Sequence, residues 1–400
     1  MLIEFKVKNY KSIKDELEFS METGENVRAT TETKYNAVQV SSKLKLLKSA
    51  LIFGANASGK SNFLEALYTL NALAVLEVRS VSQKLPYDSF GPSKEPTVFD
   101  ITFLKNGTKY NYYVEYDSTK IYQEILKASG KEVFNRKKSE NIELRENATL
   151  LFEYQEKNNK EAVEAYRWFA EDLIFEDSNF QLSEEQLFST LENKKNKEKF
   201  LRVLQYADFN IKNIEVLDLP LDKKTINFAN QVIDDEQMRE YYLKSHRNIT
   251  LSLTHSNETM GDFTLVLARE SKGTQAAIRF ILTMLTFESG KVLLFDEFDA
   301  SFHLELSQTL ISLINSEFQN NQFIMTSHEA DLMDHKMRKD QIYFVERNVE
   351  GETRMFSLFD FKKDARSDVS NSKKYLAGRF GAVPVINDSA ILDILGESHD

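Results

Sequence analysis

The chain has 400 residues, of which 42% are hydrophobic and 28% charged, enough to bury a sizeable core in one large domain or two. It has no cysteine, which excludes disulfides, thiolate zinc sites and cysteine nucleophiles, and its six histidines lack metal-ligand spacing. A net charge of −11 argues against a surface that coats nucleic acid indiscriminately, while leaving room for a local basic groove.

No stretch approaches the roughly 18 to 20 apolar residues that a membrane-spanning helix needs. The opening Met1 to Ser12 alternates like a strand rather than a signal peptide, so the expected location is the cytoplasm, with no membrane partner. After a polar loop, Ala50 to Phe53 reads as a buried strand. Strands over Val98 to Leu104 and Tyr110 to Tyr116 flank Asn106-Gly107, a strong hairpin signal. From about 130 to 245 the sequence turns charged and helix-periodic, which predicts a helical insertion between an N-terminal part (1–129) and a C-terminal part (246–400). In the latter a helix is expected over Arg279 to Phe287, a strand over Val292 to Phe295, a helix over Glu305 to Phe318 and a strand over Phe323 to Thr326. That alternation predicts an α/β fold with a mostly parallel sheet and helices on both faces, carrying an antiparallel β subdomain.

The segment Gly54-Ala-Asn-Ala-Ser-Gly-Lys-Ser61 fits G-x-x-x-x-G-K-[ST] between an apolar strand and a helix that begins at Asn62. The string arises by accident in a chain this size on the order of once in a hundred. Its glycines let backbone N–H groups turn inward, and the following helix offers its positive end to phosphate. The candidate nucleotide contacts are Gly54, Asn56, Ala57, Ser58, Gly59, Lys60, Ser61 and Asn62. Lys60 is expected on the β- and γ-phosphates of ATP and Ser61 on Mg2+.

Val292-Leu-Leu-Phe-Asp-Glu297 ends a buried strand in two carboxylates, whose side chains point differently. Asp296 then joins the magnesium shell, and Glu297 polarises the attacking water. Phe323 to His328 is a second strand with a polar end, and His328 can reach a γ-phosphate there. Glu270-Ser-Lys-Gly-Thr-Gln275 opens another helix, either capped or facing phosphate, and its Ser271 and Gly273 make a composite site between two chains conceivable. Asp299 follows the acidic strand, where a dimer brings a polar loop across its interface.

Together these elements resemble the ABC-type ATPase heads of the SMC, RecF and OLD group. Gly54 to Ser61 matches the Walker A loop, Leu293 to Glu297 the Walker B strand, Ser271 to Gln275 a divergent signature, Asp299 the D-loop and His328 the switch histidine. The family's Q-loop glutamine falls near Pro86 to Pro96, where Gln83 is the nearest candidate, and Tyr10 and Lys11 lie near the expected adenine contacts. The insertion, the string Asp296 to His303 and the late Tyr375 to Pro384 segment are similar to stand-alone RloA-like or AbiL-like anti-phage ATPases. The resemblance implies ATP-driven pairing of two copies and a separately encoded effector. A RecF-like repair ATPase acting on DNA through Lys43, Lys45, Lys48 and Arg136 to Lys138 is the alternative, and a scaffold with negligible turnover a third reading.

Overall fold

The structure is a computed structural model. It describes residues 1–400 except 26, 28, 92, 139–143, 177–183, 208, 222, 246, 247, 258, 260, 288, 362–368, 385, 386 and 397–400. Two compact units emerge: Met1–Asp177 with Ser289–Ala300 and Ser307–Asp400, and Ser178–Glu288 with Ser301–Leu306.

The first unit opens with β1 (Leu2–Lys8), β2 (Leu17–Ser20), β3 (Ala37–Gln39), β4 (Lys45–Leu47), β5 (Ser49–Phe53) and α1 (Lys60–Ala74). There follow β6 (Thr97–Lys105), β7 (Thr108–Tyr116), β8 (Ile121–Ala128), β9 (Lys131–Asn135), α2 (Leu150–Glu156), α3 (Lys160–Arg167) and β10 (Leu173–Glu176). The second unit holds α4 (Glu184–Ser189), α5 (Lys194–Tyr206), β11 (Ile211–Leu219), α6 (Lys223–Val232), α7 (Glu236–Ser245), β12 (Asn248–His255), β13 (Phe263–Val266) and α8 (Lys272–Thr286). The chain then returns to the first unit through β14 (Val292–Phe295), passes once more into the second over Ser301–Leu306, where α9 (Leu304–Ile314) begins, and continues in the first with the rest of α9, β15 (Gln322–Thr326), β16 (Ile342–Arg347), β17 (Thr353–Ser357), α10 (Asn371–Leu376) and α11 (Asp388–Gly396).

Among the described residues, β2-β1-β6-β7-β8-β9 form an antiparallel sheet and β10-β14-β15-β5-β16-β17 a second one, parallel except for the edge strand β17. Every residue of β5 is buried, as expected of an inner strand of a covered parallel sheet. α1 presents Phe63, Leu67, Leu70 and Leu73 to one continuous core, in which Phe63 packs on Phe5 and Phe19 of the antiparallel sheet. The hairpin between β6 and β7 turns at Asn106 and Gly107 with φ of 49° and 78°, the left-handed pair that a two-residue primed turn requires.

The middle of the chain differs from the expectation of a helical insertion over 130–245. Residue 130 lies inside the Ser129-Gly130 turn that joins β8 to β9. β10 pairs in parallel with β14 and so belongs to the first unit. The second unit carries a sheet, β11-β12-β13, beside its helices. In β11 buried Ile211 and Ile214 stand among exposed charged residues, a mixture that reads as helix-periodic in a Lys- and Glu-rich stretch. The second unit also runs past 246 to Glu288. Among the described residues no helix is long and apolar enough to cross a membrane.

Candidate functional site

Three parallel neighbours, β14, β15 and β5, bring their carboxyl ends to one edge of the sheet. Gly54 to Ser61 leaves the end of β5 and turns into α1. Two glycines there are fixed by close approach: a Cβ on Gly54 would run into Val345 O, and one on Gly59, at φ 110°, into the Thr353 side chain. Gly59 precedes α1 without a side-chain cap, so the helix start keeps its N–H groups open. The buried Ser58 hydroxyl lacks a hydrogen-bond partner, while Asn56 and Ala57 are exposed. Lys60 is buried and its Nζ donates to Gly54 O (3.0 Å) and Ala55 O (3.1 Å). Burial pushes its pKa down, opposed by the negative charges of Asp296, Glu297 and Asp299. Half-buried Asn62 donates to Ser12 Oγ (2.6 Å), and Thr353 Oγ1 lies 2.8 Å from both Ser12 Oγ and Ser58 O. Ser12 and Thr353 thus brace the loop from behind.

Asp296 and Glu297 sit at the end of β14. The Thr326 hydroxyl donates to Asp296 Oδ1 and accepts from the Glu297 N–H at 2.7 Å, which ties the acidic turn to the end of β15. Glu297, at φ 48°, holds its carboxylate out toward solvent, with Oε1 3.5 Å from His328 Nε2. Asp299 turns inward. Its carboxylate accepts from Ser327 Oγ (2.6 Å) and from the Glu329 N–H (3.2 Å), and burial raises its pKa against those bonds and the nearby His328. The residue expected on a dimer interface is therefore engaged within its own chain.

Ser271 and Gly273 belong to the second unit. Ser271 Oγ accepts from the Thr274 N–H (3.1 Å) and caps α8. A Cβ on Gly273 would meet Ser301 O within that same unit. So Gly54 to Asn62, Asp296, Glu297, Asp299 and His328 lie in one unit, and Ser271 and Gly273 in the other. Elsewhere, Tyr10 is buried with its hydroxyl on Thr69 (2.8 Å), Lys11 pairs with Glu65, and Gln83 bonds within its own loop to Arg79 N and Glu77 O. Sequence reasoning missed Ser12, Thr326 and Thr353, since a bracing hydroxyl carries no local pattern.

Among the described residues no group of three histidines or carboxylates gathers as a metal cage. The Ser61 hydroxyl in the first turn of α1 and Asp296 Oδ2, the carboxylate oxygen that Thr326 does not take, are hard oxygen donors of the kind that suit magnesium carried in on phosphates.

No curated protein matches the chain. Among solved structures it is similar to an SMC head bound to the C-terminal winged-helix domain of ScpA, at 14% identity and a TM-score of 0.46 over 89% of this chain and 97% of that one. The Thermotoga maritima SMC head domain matches at 15% identity and a TM-score of 0.42, over 89% of this chain and 98% of that one. A Pyrococcus furiosus Smc head with an extended coiled coil, bound to the C-terminal domain of ScpA, matches at 13% identity and a TM-score of 0.44, over 92% of this chain and 99% of that one. One protein family matches residues 49–334, from the start of β5 past the His328 loop and well over half the chain. The chain therefore belongs to the P-loop ATPase family described as "AAA domain, putative AbiEii toxin, Type IV TA system".

Proposed function

We propose that the chain hydrolyses ATP with magnesium and uses the cycle to pair and release two copies, as the cytoplasmic regulatory ATPase of a bacterial anti-phage system that acts through a separately encoded effector. The observation that carries the chemistry is the convergence of Lys60, Asp296, Glu297 and His328 around the ends of three adjacent parallel strands. Ligands of open α/β sheets bind at that edge. The uncapped start of α1 and the turned N–H groups of the loop receive the phosphates. Lys60 exchanges its two carbonyl partners for phosphate oxygens. Glu297, its backbone fixed by Thr326 and its carboxylate exposed beside His328, accepts a proton from the attacking water. Magnesium on Ser61 and Asp296 supplies neutralisation of phosphate charge. Ser271 and Gly273 of a second copy close on the γ-phosphate, and hydrolysis reopens the pair because nucleotide binds the two states unequally.

The family description, with its toxin and type IV toxin–antitoxin system, is in keeping with a defence setting and a separately encoded partner. DNA is the less favoured partner. Arg136 pairs with buried Glu124 and Lys48 is buried on Ser316 O, so these two of the basic groups are withdrawn from a groove, while Lys137 and Lys138 stay exposed. The test is ATP turnover and solution mass for the wild type and Glu297→Gln, with and without ATP and magnesium. The expected result is turnover about 100-fold lower for the variant and a larger assembly in ATP. If neither turnover nor mass responds to ATP in the wild type, the proposal fails.

A further inference from the structure

The late segment Tyr375 to Pro384 is a sequence motif that the hydrolytic site leaves unused, yet it lies against that site. Ala382 O accepts from the Ala55 N–H at 3.0 Å and from the Tyr375 hydroxyl at 3.0 Å. Ala382 N–H in turn donates to Glu346 Oε2 at 3.2 Å, from the strand next to β5. Ala382 and Gly381 both take left-handed backbone, φ 57° and 69°, so this carbonyl is aimed by a bent turn rather than by a strand ladder. Aromatic packing anchors the turn. Phe380 is buried against Phe344 and Phe361, and Tyr375 packs on Phe344 and on Phe53, the residue that precedes the phosphate loop.

The peptide unit held by Ala382 is the one between Gly54 and Ala55. Its N–H goes to Ala382, and its carbonyl, Gly54 O, is a resting acceptor of Lys60 Nζ. A peptide group is rigid and planar, so fixing its N–H fixes the direction of its C=O. The other end of the segment is tied too: the Asn371 and Ser372 N–H groups at the start of α10 donate to Asp334, at 2.8 and 3.0 Å, in the turn that follows the His328 loop.

We infer that residues 371–382 form a strap that orients the Gly54-Ala55 peptide, and with it the start of the phosphate loop, with Tyr375 and Glu346 as positioning residues for ATP binding. The inference rests on the ATP-binding reading above. Tyr375→Phe removes one hydroxyl from Ala382 O, Glu346→Ala removes the acceptor of Ala382 N–H, and Glu346→Gln keeps an oxygen that can accept.

The experiment measures KM and kcat for ATP with magnesium, the thermal midpoint, and hydrogen exchange of the peptide that contains Ala55, on the full chain. Expected are a KM raised about three- to tenfold, the worth of one hydrogen bond, in Tyr375→Phe and Glu346→Ala. A kcat within about twofold, faster exchange at Ala55 and recovery in Glu346→Gln complete the pattern. If the wild type turns over ATP but KM and Ala55 exchange match it in both variants, or if Glu346→Gln is as impaired as Glu346→Ala, the strap is refuted while the ATPase reading stands. If the wild type neither binds nor hydrolyses ATP and Lys60→Ala is indistinguishable from it, the ATPase reading falls and the strap with it.

Discussion

Two helix starts in this chain are built from the same few residue types and do opposite things with their backbone. The one at Gly59-Lys60-Ser61 opens on a left-handed glycine with no side-chain cap, and its neighbour Ser58 keeps a buried hydroxyl without a partner. The one at Ser271-Lys272-Gly273 is closed by the serine itself, whose Oγ takes the Thr274 N–H. An open helix start holds unspent donors and a positive end, ready for an anion, whereas a capped one has satisfied part of that demand from within. The contrast separates a site formed inside one unit from one whose part in catalysis is proposed to begin only when a second copy approaches.

The largest expected break in this comparison comes from Lys60→Ala, which removes the one buried cation of the open start. Turnover falls about 100-fold or more, while Lys272→Ala, at the exposed equivalent place, leaves single-copy ATP binding unchanged. Equal ATP affinity in wild type and Lys60→Ala, measured by calorimetry, sinks the assignment of the open start as the phosphate site. Next is Gly59→Ala. A methyl at φ 110° costs about 1–3 kcal/mol in backbone strain alone and meets Thr353, so the urea midpoint drops and ATP binding is lost together with it.

The paired serines sharpen the comparison at smaller magnitude. Ser271→Ala removes a cap and destabilises the chain by about 1 kcal/mol. Ser58→Ala removes a buried hydroxyl that has no partner and is neutral or slightly stabilising in the absence of nucleotide. Urea titrations of the two variants in the same buffer check the order, and a Ser58→Ala loss as large as that of Ser271→Ala would contradict the view of the open start.

How much of this could be read beforehand follows the same division. β14 runs over Val292–Phe295, as its apolar run and acidic end predict, and β5 and β15 are equally legible because continuous burial leaves a continuous apolar string. The helix expected over Glu305 to Phe318 ends earlier, at Ile314. β10 stayed hidden inside a charged stretch, because four residues paired along one strand leave too little pattern to outweigh their surroundings. Ser12 and Thr353 stand 341 positions apart and meet only through the fold. The direction of Asp299 was equally beyond reach, since an acidic residue after a strand end faces solvent or a buried hydroxyl with the same sequence on either side.

Asp299 also gives the smallest effect. Burial raises its carboxyl pKa in the folded chain above the ordinary value of the unfolded one, despite Ser327 and the Glu329 N–H. The folded state therefore holds the proton to higher pH than the unfolded state does. Where the folded state binds more protons, stability falls as pH rises. The stability of the wild type relative to Asp299→Asn thus declines from the ordinary carboxylate range up through the raised folded pKa and is flat above it. Thermal midpoints of the two proteins, followed from acid to neutral pH, read the difference directly. A difference that grows with pH would mean that Ser327 and the backbone N–H outweigh burial, and that Asp299 is a stabilising anion joining the ends of β14 and β15 rather than a costly one.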